Sequence, residues 1–127
     1  GEALHKYRDL KVWQRAMAFT VAIYRETRGW PESERFGLIS QIRRATASIP
    51  LNIAEGAGSS SNKDFCRFLE IALRSTYEVM TAIDIARGLE YISNERADAL
   101  LAEADEIAAM IVGLMKSLGW KSASSKL

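Results

Sequence analysis

The chain has 127 residues, of which 48% are hydrophobic and 26% are charged, and its formal net charge is +1. This composition is typical of one globular domain with a hydrophobic core and excludes a disordered chain. The single cysteine, Cys66, excludes an intrachain disulfide and a metal site built from several cysteines. The longest apolar run, Ile107 to Met115, is far shorter than the roughly 20 residues of a membrane span. The N-terminal stretch is polar, so we expect a cytoplasmic protein with no membrane partner.

The charge is unevenly distributed along the chain. Residues 1–28 carry six Lys and Arg against three Asp and Glu, whereas residues 90–118 carry two against six. Residues 29–58 and residues 59–89 are balanced. One part of the molecule is therefore predicted to be basic and another acidic. A nucleic-acid role would need cations that the fold concentrates in one place, because the bulk charge is close to zero.

The first predicted helix spans about residues 10–28. Apolar residues recur at spacings of three and four in two adjacent rows, which indicates a broad apolar surface. Gly29 is expected to stop the helix, and Pro31 keeps the following turn out of helical geometry. The two rows are Trp13, Met17, Thr20, Tyr24 and Thr27, and beside them Val12, Ala16, Phe19 and Ile23.

The second predicted helix, about residues 34–55, contains a proline. Pro50 has no N–H donor and crowds the carbonyl of Thr46, so we expect a kink at this point. A hydroxyl of Thr46 or Ser48 is expected to satisfy the freed carbonyl. The apolar spacing continues in phase on both sides of the proline, which favours one kinked helix over two separate helices.

The last two turns of this helix hold the residues with predicted structural roles: Pro50, Asn52, Glu55 and Gly56. Asn52 and Glu55 are expected near the core-facing side, in a hydrogen-bond network that caps the kink or fixes the helix register. A ligand-binding role for this pair is the alternative. The segment GAGSSSN is expected to end the helix, with Gly56 or Gly58 at positive φ.

The third predicted helix, about residues 63–91, is apolar on more than one side. One row keeps a heptad-like spacing, a second row runs beside it, and Leu73, Tyr77 and Met80 occupy a further side. Such a helix is buried on more than one side, which in a chain of this size indicates a subunit interface. The first row is Phe65, Leu69, Ala72, Thr76, Val79, Ile83, Ala86 and Glu90, and the second is Phe68, Ile71, Ser75, Ala82, Ile85 and Leu89.

The fourth predicted helix spans about residues 94–118 and has one unbroken apolar stripe opposite an acidic side. Gly119 is expected to end it, and residues 119–127 form a frayed tail. No strand pattern is visible. Short connections between four helices predict an all-α fold, an antiparallel up-down-up-down four-helix bundle that forms a single domain over residues 1–127.

Few residues are suited to catalysis or metal binding. The GAGSS segment lacks the preceding strand and the Lys-Ser/Thr pair of a phosphate-binding loop, so we interpret it as a helix connection. His5 is the only histidine and lies outside the predicted helices, and Cys66 is interpreted as a packing residue. The Glu-x-x-His pairs of di-iron bundles are absent from the sequence. We predict no catalytic residues, no metal site and no cofactor, and hence a protein that is not an enzyme.

The remaining candidates are cations on the second and third helices. Around the Gly-Ser connection they form a possible phosphate-contacting patch, which would be multiplied if subunits repeat around an axis. The alternative is ordinary surface charge paired with neighbouring carboxylates. The candidate nucleic-acid-binding residues are Arg43, Arg44, Lys63, Arg67 and Arg74.

Three segments resemble a known bacterial family: DLKVWQRAMAFTVAIY, PESERFGLISQIRRATASIPLNIAEG and FCRFLEIALRSTYEVMTAIDIARGLEYI. They are similar to the four-helix-bundle proteins named after intervening sequences in large-subunit ribosomal RNA genes. The resemblance covers roughly Tyr7 to Leu118, and QIRRATASIPLNIAEG is its most specific part. It implies an antiparallel four-helix bundle, a homopentamer and no established enzymatic activity.

The same family is similar to the accessory variability determinant proteins of diversity-generating retroelements. Those relatives are basic pentamers that bind nucleic acid and a reverse transcriptase. This chain departs from them because it is almost neutral, and Arg74 stands where a glycine is common in the family.

Two functions follow as hypotheses. The first is a non-enzymatic, homo-oligomeric bundle, pentameric by resemblance, whose five candidate cations bind RNA, DNA or a nucleic-acid-processing protein. The alternative is a protein-interaction scaffold without affinity for nucleic acid.

Overall fold

A computed structural model describes residues 5–121 of the chain, and this part contains four long helices and no strand. The prediction of an all-α four-helix fold is confirmed. Single 3₁₀ turns, Tyr7–Asp9 and Glu32–Glu34, precede the first and second helices. Residues 122–127 of the predicted tail lie outside the described residues. The long helices are α1 (Lys11–Thr27), α2 (Leu38–Ala57), α3 (Asn62–Gly88) and α4 (Asn94–Ser117).

Contacts between neighbouring helices pair low residue numbers on one helix with high residue numbers on the other. Between α1 and α4, Arg15 bonds to Glu103 at 2.6 Å and Arg96 bonds to Glu26 at 3.1 Å. Neighbouring helices therefore run in opposite directions. The same order holds between α1 and α2 (Thr20 with Thr46, Thr27 with Arg43), between α2 and α3 (Ser48 with Ser75, Gly56 with Phe65) and between α3 and α4 (Cys66 with Met115, Arg87 with Asp98).

The hydrophobic core lies between the four helices, and each helix contributes buried residues to it. On α1, the row that contains Phe19 and Ile23 is buried together with Thr27, whereas Met17 and Tyr24 are about 40% exposed. The broad apolar surface predicted for α1 thus divides into a core side and an outer side. Among the largest fully buried side chains are Ile23, Ile42, Ile49, Ile53, Phe65, Leu69, Ile83, Ile107, Ile111 and Met115.

Glu34 joins the two helix connections at one end of the bundle. Its Oε1 accepts the N–H of Leu38 at 3.0 Å, and its Oε2 accepts the hydroxyl of Tyr91 at 2.8 Å. α2 therefore begins at Leu38 rather than near residue 34, because Glu34 belongs to a separate turn and caps the helix. These two contacts, the N–H of Leu38 first, hold the pKa of Glu34 below its ordinary value.

α3 also differs from its prediction, because it ends at Gly88 rather than near residue 91. Glu90 has a left-handed φ of 62°, and the N–H groups of Glu90 and Tyr91 donate back to the last helical turn at 3.0 and 2.9 Å. This is the Schellman arrangement that terminates many helices. Gly119, with a φ of 93°, follows α4 in the same way, as predicted.

α2 continues through Pro50 without interruption. The carbonyl of Thr46, which Pro50 leaves without its helical donor, is approached by the hydroxyl of Thr20 on α1 at 3.4 Å. Neither predicted hydroxyl satisfies it, because Thr46 donates to the carbonyl of Ile42 and Ser48 contacts the α3 side of the helix. The kink itself stays a prediction.

Gly56 is buried where α2 crosses the start of α3. A Cβ at this position would lie 2.8 Å from Cδ1 of Phe65 and 2.9 Å from Cβ of Phe68. The prediction of positive φ at Gly56 or Gly58 is wrong, since Gly58 has a φ of −86° and Gly56 lies within the helix. The glycine is required because the two helices approach so closely.

We expect Gly56→Ala to lower the free energy of unfolding by about 1–2 kcal/mol, because the added methyl group overpacks a buried aromatic contact. Gly113→Ala is the matched control. This glycine is also helical and a Cβ there meets nothing within 4 Å, so alanine should stabilise the protein by up to about 1 kcal/mol. Urea denaturation of both variants measures the difference. Equal effects at the two positions would contradict the packing argument.

Glu34 should make stability depend on pH. Its folded pKa is lowered, so its contribution is present above the ordinary value of 4.5 and is lost as the pH falls through the folded pKa. The difference in unfolding free energy between the wild type and Glu34→Gln should therefore shrink from about pH 7 to about pH 2. Tyr91→Phe removes only the second contact, so the unfolding free energy of this variant should depend less on pH than that of the wild type. A difference that does not vary with pH would contradict this role.

Candidate functional site

The five cations predicted to form one patch lie at different levels of the bundle. Arg43 and Arg44 lie in the first turns of α2, and Lys63 and Arg67 lie in the first turns of α3. Because these helices are antiparallel, about 12–16 residues of α3, or about 18–24 Å, separate the two pairs. Arg74 lies between these levels. The structure does not gather the five side chains around the Gly-Ser connection, because α2 carries Arg43 and Arg44 away from it.

The Arg43 side chain links α2 to α1. Its Nε donates to the hydroxyl of Thr27 at 2.8 Å, and its Nη2 donates to the carbonyl of Tyr24 at 3.1 Å. The guanidinium also lies 4.8 Å from the centre of the Tyr24 ring, within cation–π range. These contacts use two of the five guanidinium N–H donors and hold the side chain against α1. Arg44 is exposed, and its nearest polar partner is the Ser40 hydroxyl at 3.5 Å.

The cations of α3 differ in how far they are already paired. Arg74 bonds to Glu70 at 3.0 Å, and Arg67 lies 3.6 Å from Asp64. Such exposed ion pairs are weak, and a phosphate can replace the carboxylate. Lys63 is exposed and has no carboxylate within 4.0 Å among residues 5–121.

Cations are concentrated at the end of the bundle where α1 and α3 begin. The N-terminal segment lies against this end, because the N–H of His5 donates to the carbonyl of Ala57 at 2.8 Å and its ring packs 5.4 Å from that of Phe65. A cleft of about 360 Å³ lies beside Lys63, Arg67 and Trp120. We name this region the basic end: Lys6, Arg8, Lys11, Lys63, Arg67, Lys116 and Lys121, against Asp9, Glu55, Asp64 and Glu70.

Of the cations in the basic end, only Lys63 and Arg67 were among the five candidates predicted from the sequence. The available signal was the excess of positive charge over residues 1–28, which includes Lys6, Arg8 and Lys11. That these residues join Lys63 and Arg67 follows from helix direction.

The residues with predicted structural roles separate into two groups. Asn52 donates to the carbonyl and hydroxyl of Ser48 at 2.8 and 2.9 Å, and the Ser48 hydroxyl lies 2.9 Å from that of Ser75. This network ties α2 to α3 close to Pro50. The expectation that Glu55 lies near the core is wrong, because its side chain is exposed at the rim of a cleft.

That cleft lies between α1 and α2 and has a volume of about 530 Å³. Its walls are mainly apolar, with Trp13 and Met17 from α1 and Pro50 and Leu51 from α2. Of the described residues that line it, Glu55 is the only charged one. The outer row of α1, which the sequence could not distinguish from the core row, forms one of the walls.

Within residues 5–121, the large apolar side chains that stay exposed lie on α1, α2, α3 and the connections that follow α1 and α3. On α4, the exposed positions hold charged, hydroxyl or small residues. The distribution makes α4 the polar side of the described bundle. The exposed large apolar side chains are Met17, Val21, Tyr24, Phe36, Leu51, Ile71, Tyr77, Ile85 and Leu89.

Burial also limits what Cys66 can do. Its sulfur lies 3.8 Å from the carbonyl of Met115, and burial raises the pKa of the thiol, which disfavours the reactive thiolate. Within residues 5–121, no three His, Cys, Asp or Glu side chains come close enough to hold a metal ion. No helix in this range has the length and apolar character needed to cross a membrane.

The chain is similar to a protein of unknown function from the S23 ribosomal protein family of Bacteroides thetaiotaomicron, known from a crystal structure. The two are 28% identical and superpose with a TM-score of 0.75 over 83% of this chain and 98% of that one. No curated protein matches the chain. The family described as 23S rRNA-intervening sequence protein matches residues 8–113. This match covers most of the sequence, and the chain belongs to the 23S rRNA-intervening sequence protein family.

Proposed function

We propose that this protein is a non-enzymatic scaffold whose copies associate through α1, α2 and α3 into a homo-oligomer. The observation that carries the proposal is that exposed large apolar side chains occur on α1, α2 and α3 but not on α4. Leaving such side chains in water is unfavourable by about 25 cal/mol for each Å² of apolar surface, so a second protein surface that covers them is stabilising. The family resemblance supports five copies.

α4 is the side of the bundle that would remain in water. Its outward positions include Glu95, Asp98, Asp105 and Glu106. Interface centres are depleted in such carboxylates, because burying an unpaired charge is costly. An assembly that buries α1, α2 and α3 and leaves α4 outside therefore satisfies both kinds of surface.

Sedimentation velocity tests this proposal. The wild type should sediment as an oligomer, and Ile85→Asp should shift it towards monomer, because Ile85 is 48% exposed on α3 and would bring a charge into the contact. Ala102→Asp, at an exposed position of α4, is the matched control and should leave the size unchanged. A wild type that stays monomeric at all concentrations would overturn the proposal.

Binding of nucleic-acid phosphate is a second candidate function, and the basic end favours it. Cations outnumber carboxylates there, and Lys63 has no ion-pair partner among the described residues. In an oligomer this region would be repeated, which adds phosphate contacts without a high net charge on one chain. We propose the basic end, and not Arg43 and Arg44, as the surface that contacts RNA, DNA or a nucleic-acid-processing partner. A scaffold without nucleic-acid affinity is the alternative.

Salt-dependent binding to an RNA oligonucleotide distinguishes these functions. Reversing Lys63 and Arg67 together to Glu should weaken binding and lower the slope of log K against log salt by about 1–2, since two phosphate contacts are lost. Arg44→Glu, at the opposite end of α2, should change little. Equal losses from both changes would contradict the basic end, and no salt-dependent binding by the wild type would favour the alternative scaffold.

A further inference from the structure

Phe36 is the most exposed large apolar side chain of the described residues, with 88% of its surface accessible. It lies in the connection between the Glu32–Glu34 turn and α2. The guanidinium of Arg35 lies 5.3 Å from the ring centre, and Arg35 is 3.6 Å from Glu32. The connection therefore presents an aromatic ring together with a cation.

The cleft between α1 and α2 has the complementary character. It is apolar, it is large enough for an aromatic side chain, and its single charged lining residue, Glu55, is a carboxylate at the rim. The partly buried ring of Trp13 on α1 and the exposed side chain of Leu51 on α2 both line it. An aromatic ring accompanied by a cation matches such a site in both polarity and charge.

Phe36 cannot reach the α1–α2 cleft of its own chain. Phe36 precedes the first turn of α2, whereas Leu51 and Glu55 lie more than halfway along the same helix. The helical rise places Phe36 about 20 Å from Leu51 along the axis. Phe36 can therefore enter such a cleft only in another molecule.

We propose that Phe36 of one copy inserts into the α1–α2 cleft of the next copy, with Arg35 beside Glu55 across the contact. This inference rests on the proposed self-association and specifies its geometry. The two sides of the contact are different surfaces, so the association is head-to-tail and closes as a ring or extends as a chain. Ile85, which lines a shallow pocket with Leu38 near the start of α2, lies on the same side as Phe36.

Complementation between two variants tests the head-to-tail contact. Phe36→Ala removes the inserted ring but keeps the cleft, and Leu51→Asp blocks the cleft but keeps the ring. Both positions are exposed, so both variants should fold, which circular dichroism checks. Each variant alone should be monomeric by sedimentation velocity. A mixture of the two should form a 1:1 heterodimer and nothing larger, because only one functional ring and one functional cleft are present.

Charge exchange tests the pairing of Arg35 with Glu55. Arg35→Glu and Glu55→Arg should each weaken self-association at least about tenfold, and the double variant should recover most of the loss. Asp105→Arg, which reverses an exposed charge on α4, is the control and should leave the assembly unchanged.

The outcomes separate this inference from the proposed function. If Phe36→Ala assembles like the wild type, the inserted ring is wrong although self-association stands. If both single variants are monomeric and their mixture also stays monomeric, the head-to-tail pairing is wrong and the cleft takes another occupant. If the wild type itself never associates, both proposals fall. Only a heterodimer in the mixture, with recovery in the charge exchange, supports the contact.

Discussion

The packing of α2 against α3 is the constraint on which the rest of the molecule depends. Gly56 allows Phe65 and Phe68 to approach the α2 backbone at distances that a methyl group would prevent. At the middle of the same pair, the hydroxyls of Ser48 and Ser75 meet at 2.9 Å. The first contact sets how close the helices come, and the second opposes sliding of one helix along the other. Together they place the start of α3 beside the end of α2.

The positions of α1 and α4 follow from this pair, and with them the character of each surface. α1 is joined to α2 by Arg43, and α4 is joined to α1 by ion pairs such as Arg15 with Glu103. In this arrangement α1 buries the row that contains Phe19 and Ile23, whereas Trp13 and Met17 from the other row line the cleft together with Leu51. A cleft of this kind is therefore a consequence of core packing, and it is available to another protein surface.

Charge is organised by the same arrangement. Antiparallel packing brings the start of α1, the start of α3 and the end of α4 to one end of the bundle, and the cations of these segments meet there. Arg43 and Arg44 lie at a different level of the bundle and have different hydrogen-bond partners, so they belong to the opposite end. A nearly neutral chain can in this way present a basic region, because net charge says nothing about where the charges lie.

The sequence alone determined the number of helices, most of their core residues and the helix end at Gly119. These properties depend on local spacing and local backbone preference, which are visible in the order of residues. Only the tertiary structure decided that Met17 and Tyr24 face outward, that Gly56 serves close packing and that the five cations do not form one patch. The reason is that each of these depends on which helix lies opposite, and a periodic pattern describes a helix face without naming its neighbour.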